Sequence, residues 1–262
     1  LASEGPISKK RGSSYLFNYR FSTTSLASGG ESSLKYQDLS FKFHLPTKKA
    51  GTFSIWGLGL IDKNKADAEE RSKWETQVDR QSAKNNMTKL VGGITHKYFI
   101  DENTYLRSSL SATYSEDHIS ADQQTLEDKS VPVGDIRNRK WDIVFNSFIN
   151  KKFSPSHTNR SGITITGLNY DLDYKVSPNF GLNKPMEQIS KGNGESMVLS
   201  AFSSSVLAIS RNMTASLGIT TQYFALNDNW SLEPRVALKW MPVNRHSFSV
   251  AYGLHSRREK LD

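Results

Sequence analysis

The 262-residue sequence contains no cysteine. That absence removes disulfide staples, thiolate metal sites and a cysteine nucleophile together. No apolar run of about 18 residues occurs, so no transmembrane helix is encoded. Residues 1–30 hold no basic-then-apolar signal pattern, and Leu1 is not an initiator methionine. The chain therefore reads as a processed protein or an internal piece of a longer one. No G-x-S-x-G elbow, P-loop or dinucleotide fingerprint is found, so neither enzyme chemistry nor a cofactor is expected. The six histidines, His44, His96, His118, His157, His246 and His255, fall on separate segments without ligand spacing, and no metal site is expected.

What is present is alternation. Tyr15, Phe17, Tyr19 and Phe21 share one parity, opposite Leu16, Asn18, Arg20 and Ser22. Leu39, Phe41, Phe43 and Leu45 oppose Asp38, Ser40, Lys42 and His44. Leu106, Leu110, Ala112 and Tyr114 oppose Arg107, Ser109, Ser111 and Thr113; Trp141, Ile143, Phe145 and Ile149 oppose Asp142, Asn146 and Asn150. Leu232, Pro234, Val236, Leu238 and Trp240 oppose Ser231, Glu233, Arg235 and Lys239, and Phe248, Val250, Tyr252 and Leu254 oppose Ser247, Ser249, Gly253 and His255. A period of two is the mark of strands with one apolar face. Segments 52–60, 87–98 and 195–210 carry apolar residues on both parities, and the phase slips near Gly167, as at a bulge.

About twelve strands follow, near 1–8, 13–24, 33–45, 50–60, 86–99, 104–117, 138–152, 158–174, 195–210, 212–225, 229–241 and 246–258. Connections alternate between short and long. The long ones fall near 25–32, 61–85, 118–137 and 175–194, with 226–228 a shorter member. All tight turns then lie at one end of an up-and-down sheet and all large loops at the other, the layout of an outer-membrane β-barrel. In lipid each strand satisfies its backbone laterally and needs about ten residues, apolar outward and polar inward. A soluble sandwich shows the same period with its apolar faces turned into a core. Aromatics at band ends (Tyr15, Tyr19, Tyr114, Trp141, Trp240) and long strands favour the barrel.

Several stretches resemble TonB-dependent outer-membrane receptors in the Bacteroidetes style. They are Glu4-Gly5-Pro6-Ile7 with Ser13-Ser14-Tyr15-Leu16-Phe17-Asn18-Tyr19-Arg20-Phe21-Ser22-Thr23, then Tyr36-Gln37-Asp38-Leu39-Ser40-Phe41-Lys42, Leu232-Glu233-Pro234-Arg235 and Ala251-Tyr252-Gly253-Leu254-His255-Ser256-Arg257. The resemblance implies a 22-stranded barrel in the outer membrane of a Gram-negative cell, with an N-terminal plug, importing a nutrient ligand. Residues 1–262 would be part of that one barrel domain, without plug, TonB-contacting box or remaining strands. Outer-membrane lipid and an unidentified imported ligand are the expected partners, and the TonB complex in the full-length protein only. A complete twelve-stranded channel or lipid-modifying barrel enzyme, and a soluble all-β binding module, are the competing readings.

Ligand contacts are expected from inward residues Arg20, Lys42, Arg107, Glu233, Arg235, Lys239 and Arg257, whose cations suit anionic or strongly polar solutes. The loop 61–85 has balanced charge. Its 66–80 part reads as a short exposed helix with Glu70–Trp74 and Arg71–Glu75 contacts, and Trp74 is a candidate ligand or partner anchor. The acidic stretch 116–135 matches no calcium-loop spacing and reads as a solvated face. The net charge of +8 gathers at the short turns: Lys9, Lys10, Arg11, Lys48, Lys49, Lys151, Lys152, Arg211 and Arg245. A nucleic-acid groove needs cations beside stacking aromatics. Here the aromatics lie on the opposite face from Arg20 and Lys42, so no nucleic acid is expected.

Overall fold

The computed structural model describes residues 1–22, 35–178, 182, 184–243 and 245–257. The described residues form one twelve-stranded antiparallel sheet in which spatial order equals chain order. The strands are β1 (Ala2–Ser8), β2 (Ser13–Phe21), β3 (Lys35–Pro46), β4 (Thr52–Ala66), β5 (Gln81–Phe99) and β6 (Thr104–Gln124). They continue as β7 (Ser130–Ser154), β8 (His157–Val176), β9 (Glu187–Ser210), β10 (Met213–Phe224), β11 (Asn229–Trp240) and β12 (Phe248–Gly253). Each strand predicted from alternation is present. Among the described residues β1 pairs only with β2, and β12 only with β11. The expected loop 25–32, and strand residues 23–24, 33–34 and 258, lie outside the described residues.

The register sorts the side chains into two faces. Tyr15, Phe43 and Ile55 stand in one row, continued by Ile94, Leu110, Phe145 and Ile165. Leu217, Val236 and Tyr252 form another such row. Most of these side chains are solvent-exposed, and Val236 is 45% exposed. The opposite face carries Asp38, Phe148, Leu168, Val198 and Glu233, all buried. A sheet rolled toward its polar face buries residues there and leaves the apolar face outside. Burying that apolar face in lipid gives it the hydrophobic stabilisation it lacks in water.

Two aromatic girdles bound the apolar band. Tyr114 pairs with Trp141, and Tyr223 with Trp230, toward the loop end. Trp240 lies tilted against Phe248, ring centroids 6.0 Å apart, and Phe153 stacks on His157 at 5.0 Å, toward the turn end. From Trp230 to Trp240 the strand rises about 3.4 Å per residue. With a strand tilt of roughly 40° that covers about 25 Å, the height of a lipid-facing barrel band.

The structure corrects several boundaries. β6 and β7 run on to Gln124 and from Ser130, so most of the expected loop 118–137 is paired strand. The reason is cross-strand charge pairing. Arg139 reaches Asp171 at 2.5 Å, His118 reaches Asp135 at 2.6 Å, and Arg137 lies 3.9 Å from Glu116. Likewise β4 and β5 extend to Ala66 and from Gln81, and β8 and β9 to Val176 and from Glu187. No bulge lies at Gly167, where pairing with Ile143 and Met197 is continuous. The phase slip is Leu168, an apolar residue buried on the inner face. The register instead shifts between Tyr174 and Lys175 and between Lys152 and Ser154. The expected helix in 66–80 is two 3-10 turns, Arg71–Lys73 and Val78–Arg80. A carboxylate at Asp79 captures the intervening N–H groups and breaks helical continuity there.

Candidate functional site: the inner face

Strand parity directs the polar set inward. Arg20 Nε donates to both carboxylate oxygens of Asp38 on the adjacent strand, each at 3.0 Å. Asp38 is buried, so the guanidinium is the group that compensates its charge. Lys42 stands in register between Leu16 and Trp56 and is exposed. Arg107 stands between Lys97 and Phe148, also exposed. Lys97 lies over the rings of Phe99 and Tyr105, 4.5 Å from each centroid.

A recess lies over β8 to β12. One inner row reads Asn150, Arg160, Ser204, Gly218, Arg235 and Gly253 across six strands. The row beside it reads Arg107, Phe148, Gly162, Phe202, Thr220 and Glu233. Arg160, Ser204, Gly218, Arg235 and Gly253 of the first row, with Phe202 and Thr220 of the second, line a cavity of about 850 Å³ that also touches His255. Arg160 lies 3.6 Å above the Phe148 ring, a cation–π contact that holds the guanidinium flat against the wall. Gly162 makes this approach possible, because a Cβ there would come within 2.5 Å of the Phe148 Cβ. Glu233 is buried and accepts from Arg235 Nη2 at 2.7 Å, as the shared parity predicts. Its second oxygen accepts from the Ser256 backbone N–H at 3.1 Å and from the Ser256 hydroxyl. The wall thus offers guanidinium donors and an imidazole, with one carboxylate already engaged, a setting for polar anionic groups.

The structure brings Glu233 and Arg235 together and adds Arg160, which the sequence reading missed. Its signal was present: it stands opposite in parity to Ser161 and Ile163. Lys239 lies nearer the turn end, between Thr214 and Ser249. Arg20, Lys42 and Arg107 lie on strands remote from this recess. Arg257 is not on a strand, because β12 ends at Gly253. Trp74 is in the 67–80 connection, half-buried. Its Nε1 donates to the Glu69 carbonyl at 2.8 Å, and the Arg71 and Arg80 guanidinium carbons lie 5.9 Å from its ring. Those contacts tie the indole to its own loop.

No family model matches the chain, and no curated protein matches it by sequence. Solved structures do match in fold. The siderophore receptor PirA from Acinetobacter baumannii aligns over 95% of this chain and 39% of its own, at 14% identity and a TM-score of 0.63. The outer membrane transporter YddB from Escherichia coli aligns over 96% of this chain and 37% of its own, at 12% identity and a TM-score of 0.61. A chain of the FpvAI–pyocin S2 complex aligns over 96% of this chain and 40% of its own, at 10% identity and a TM-score of 0.67. The fold is that of an outer-membrane β-barrel wall. The chain spans about two-fifths of the length of each of these neighbours.

Proposed function

We propose that this chain is a section of the barrel wall of a TonB-dependent outer-membrane receptor that imports a polar, anionic ligand. The observation that carries the reading is the pair of faces on one continuous up-and-down sheet. One is apolar and girdled by aromatics. The other bears Arg20, Lys42, Arg107, Arg160 and Arg235. Siderophore receptors share the fold, and the inward guanidinium groups suit the carboxylate, catecholate or phosphate groups of such ligands. In this reading residues 1–262 form about half of a larger barrel domain, and the unpaired edges of β1 and β12 meet further strands. Open edges of this length are otherwise templates for aggregation. A closed twelve-stranded barrel needs a ladder between β1 and β12, which the described residues lack. The Bacteroidetes-style motifs lie on β1, β2, β3, β11 and the segment through Arg257. Coupling to TonB belongs to the full-length protein.

The test is uptake in cells that encode the full-length protein. Deleting the gene should abolish energised accumulation of one or more iron-loaded anionic chelates, and Arg160→Ala with Arg235→Ala should weaken it while the protein stays in the outer membrane. Unchanged uptake of every anionic chelate after deletion would contradict the ligand class. Recovery of the protein in the soluble fraction would contradict the barrel.

A further inference from the structure

The outer face departs from its apolar pattern at one place. Near the turn end of β8 and β9, His157, Asn159, Ser161, Ser203 and Ser205 all point the way that Ile, Leu and Val point on neighbouring strands. One row runs Lys151, Asn159, Ser205, Leu217, Val236, and the next runs Ile149, Ser161, Ser203, Ile219, Pro234. The polar members are bonded to each other. Asn159 Nδ2 donates to Ser205 at 2.9 Å and to Ser203 at 3.1 Å. The Ser161 hydroxyl donates to Asn159 Oδ1 at 2.8 Å, and His157 Nε2 lies 3.2 Å from Ser205 Oγ. Beside this track a groove of about 610 Å³ is walled by Leu207, Leu217, Ile219, Pro234, Val236 and Tyr252. Polar groups therefore enter the apolar band along one side of a trough whose other side is hydrocarbon.

The track begins at a cationic edge. Phe153 stacks on His157, and Lys151 Nζ lies 5.0 Å from the Phe153 ring. Lys152, Arg211 and Arg245 are exposed on the same end of the sheet. The carboxylates in the turns there are Asp101 and Glu102, between β5 and β6, against seven lysines and arginines over all the turns. The loop end differs, since its outward cations Arg137 and Arg139 face Glu116 and Asp171.

We propose that this groove is a binding site for an anionic glycerophospholipid of the turn-side leaflet, of the phosphatidylglycerol class. The headgroup phosphate meets Lys151 and Arg211. The ester oxygens accept from the Ser203 and Ser205 hydroxyls a few ångströms deeper, and an acyl chain lies along Leu217, Ile219 and Val236. The order of chemistry down the groove (cation, hydrogen-bond donor, hydrocarbon) is the order along such a lipid from phosphate to tail. Lysine and arginine near a membrane surface attract anionic headgroups strongly enough to select them over neutral ones. This inference rests on the membrane placement proposed above, but not on the imported ligand.

The experiment is native mass spectrometry of the full-length protein, released from detergent after incubation with phosphatidylglycerol or phosphatidylethanolamine. Insertion of the same samples into phosphatidylethanolamine vesicles is checked alongside. Phosphatidylglycerol should remain bound in preference. Lys151→Gln with Arg211→Gln should weaken it by roughly fivefold for each charge removed. Ser203→Leu with Ser205→Leu should reduce bound lipid of both classes, while heat-resistant folding persists because leucine suits that face. Equal retention of the two lipids, or variants that bind as wild type, would overturn the site while vesicle insertion keeps the barrel reading intact. A lipid-free dimer through this face would also overturn it, with a second copy as the occupant. Failure to insert at all would remove both readings.

Discussion

Val236 and Ala237 are adjacent in sequence and opposite in consequence. Val236 lies between Leu217 and Tyr252 on the outer face, and Ala237 between Ser216 and Ala251 on the inner. Arginine at 236 places a charge in lipid, at a cost of about 2–4 kcal/mol near the bilayer midplane. Arginine at 237 reaches a wet wall that already carries Arg235 and Lys239. Heat stability of the two folded variants in lipid should fall sharply for Val236→Arg and little for Ala237→Arg; equal losses would contradict the register. This parity was legible in the sequence because β11 alternates without interruption, as was the Glu233–Arg235 pair. Arg160 had the right parity against Ser161 and Ile163 but was passed over, because β8 carries Leu168 inward and its apolar period breaks. Trp74 was chosen for its size, but its ring is occupied by Arg71 and Arg80.

At the scale of elements, strand cores were readable and strand ends were not. In the band, lipid demands one apolar parity, so β6 and β7 show their period between Leu106 and Ile149. Above the band both faces meet water, and the period vanishes although pairing continues. There His118, Asp135 and Arg137 look like a solvated loop until their cross-strand partners are known. Exposed pairs of this kind contribute only about 0–1 kcal/mol each, so they align the extension more than they stabilise it. The connection 67–80 has a different device. Asp79 accepts from the Thr76 N–H at 2.6 Å, the Glu75 N–H at 2.9 Å and the Thr76 hydroxyl at 3.0 Å. These bonds hold its carboxyl below the ordinary aspartate range. Because the folded value is depressed, the stabilisation is complete above the unfolded value near 3.9 and is lost as pH falls below it, through the folded value. Trp74 fluorescence should therefore be steady from neutral pH to about 4 and change below, and Asp79→Asn should remove that change. An identical acid transition in the variant would show that Asp79 does not order the loop.

Over the whole molecule, an apolar outside and a polar inside invert the arrangement of a soluble sandwich. That inversion explains why Ile55, Leu110, Ile163 and Val236 are exposed while Asp38 and Glu233 are buried. Strand number, order and the up-and-down path were all contained in the alternation and the turn spacing. The position of the inner recess was not, since it depends on four strands, β8 to β11, aligning Arg160 with Arg235. The absence of cysteine makes the central claim directly measurable. Single cysteines placed in turn at positions 230–240 of the full-length protein, spin-labelled in lipid vesicles, report access to oxygen in the bilayer and to a polar nickel complex in water. The account predicts a period of two: oxygen access is greatest at 232, 234, 236 and 238, and nickel access at 231, 233, 235, 237 and 239. Equal nickel access at 236 and 237, or no period along β11, would contradict a membrane-spanning barrel wall.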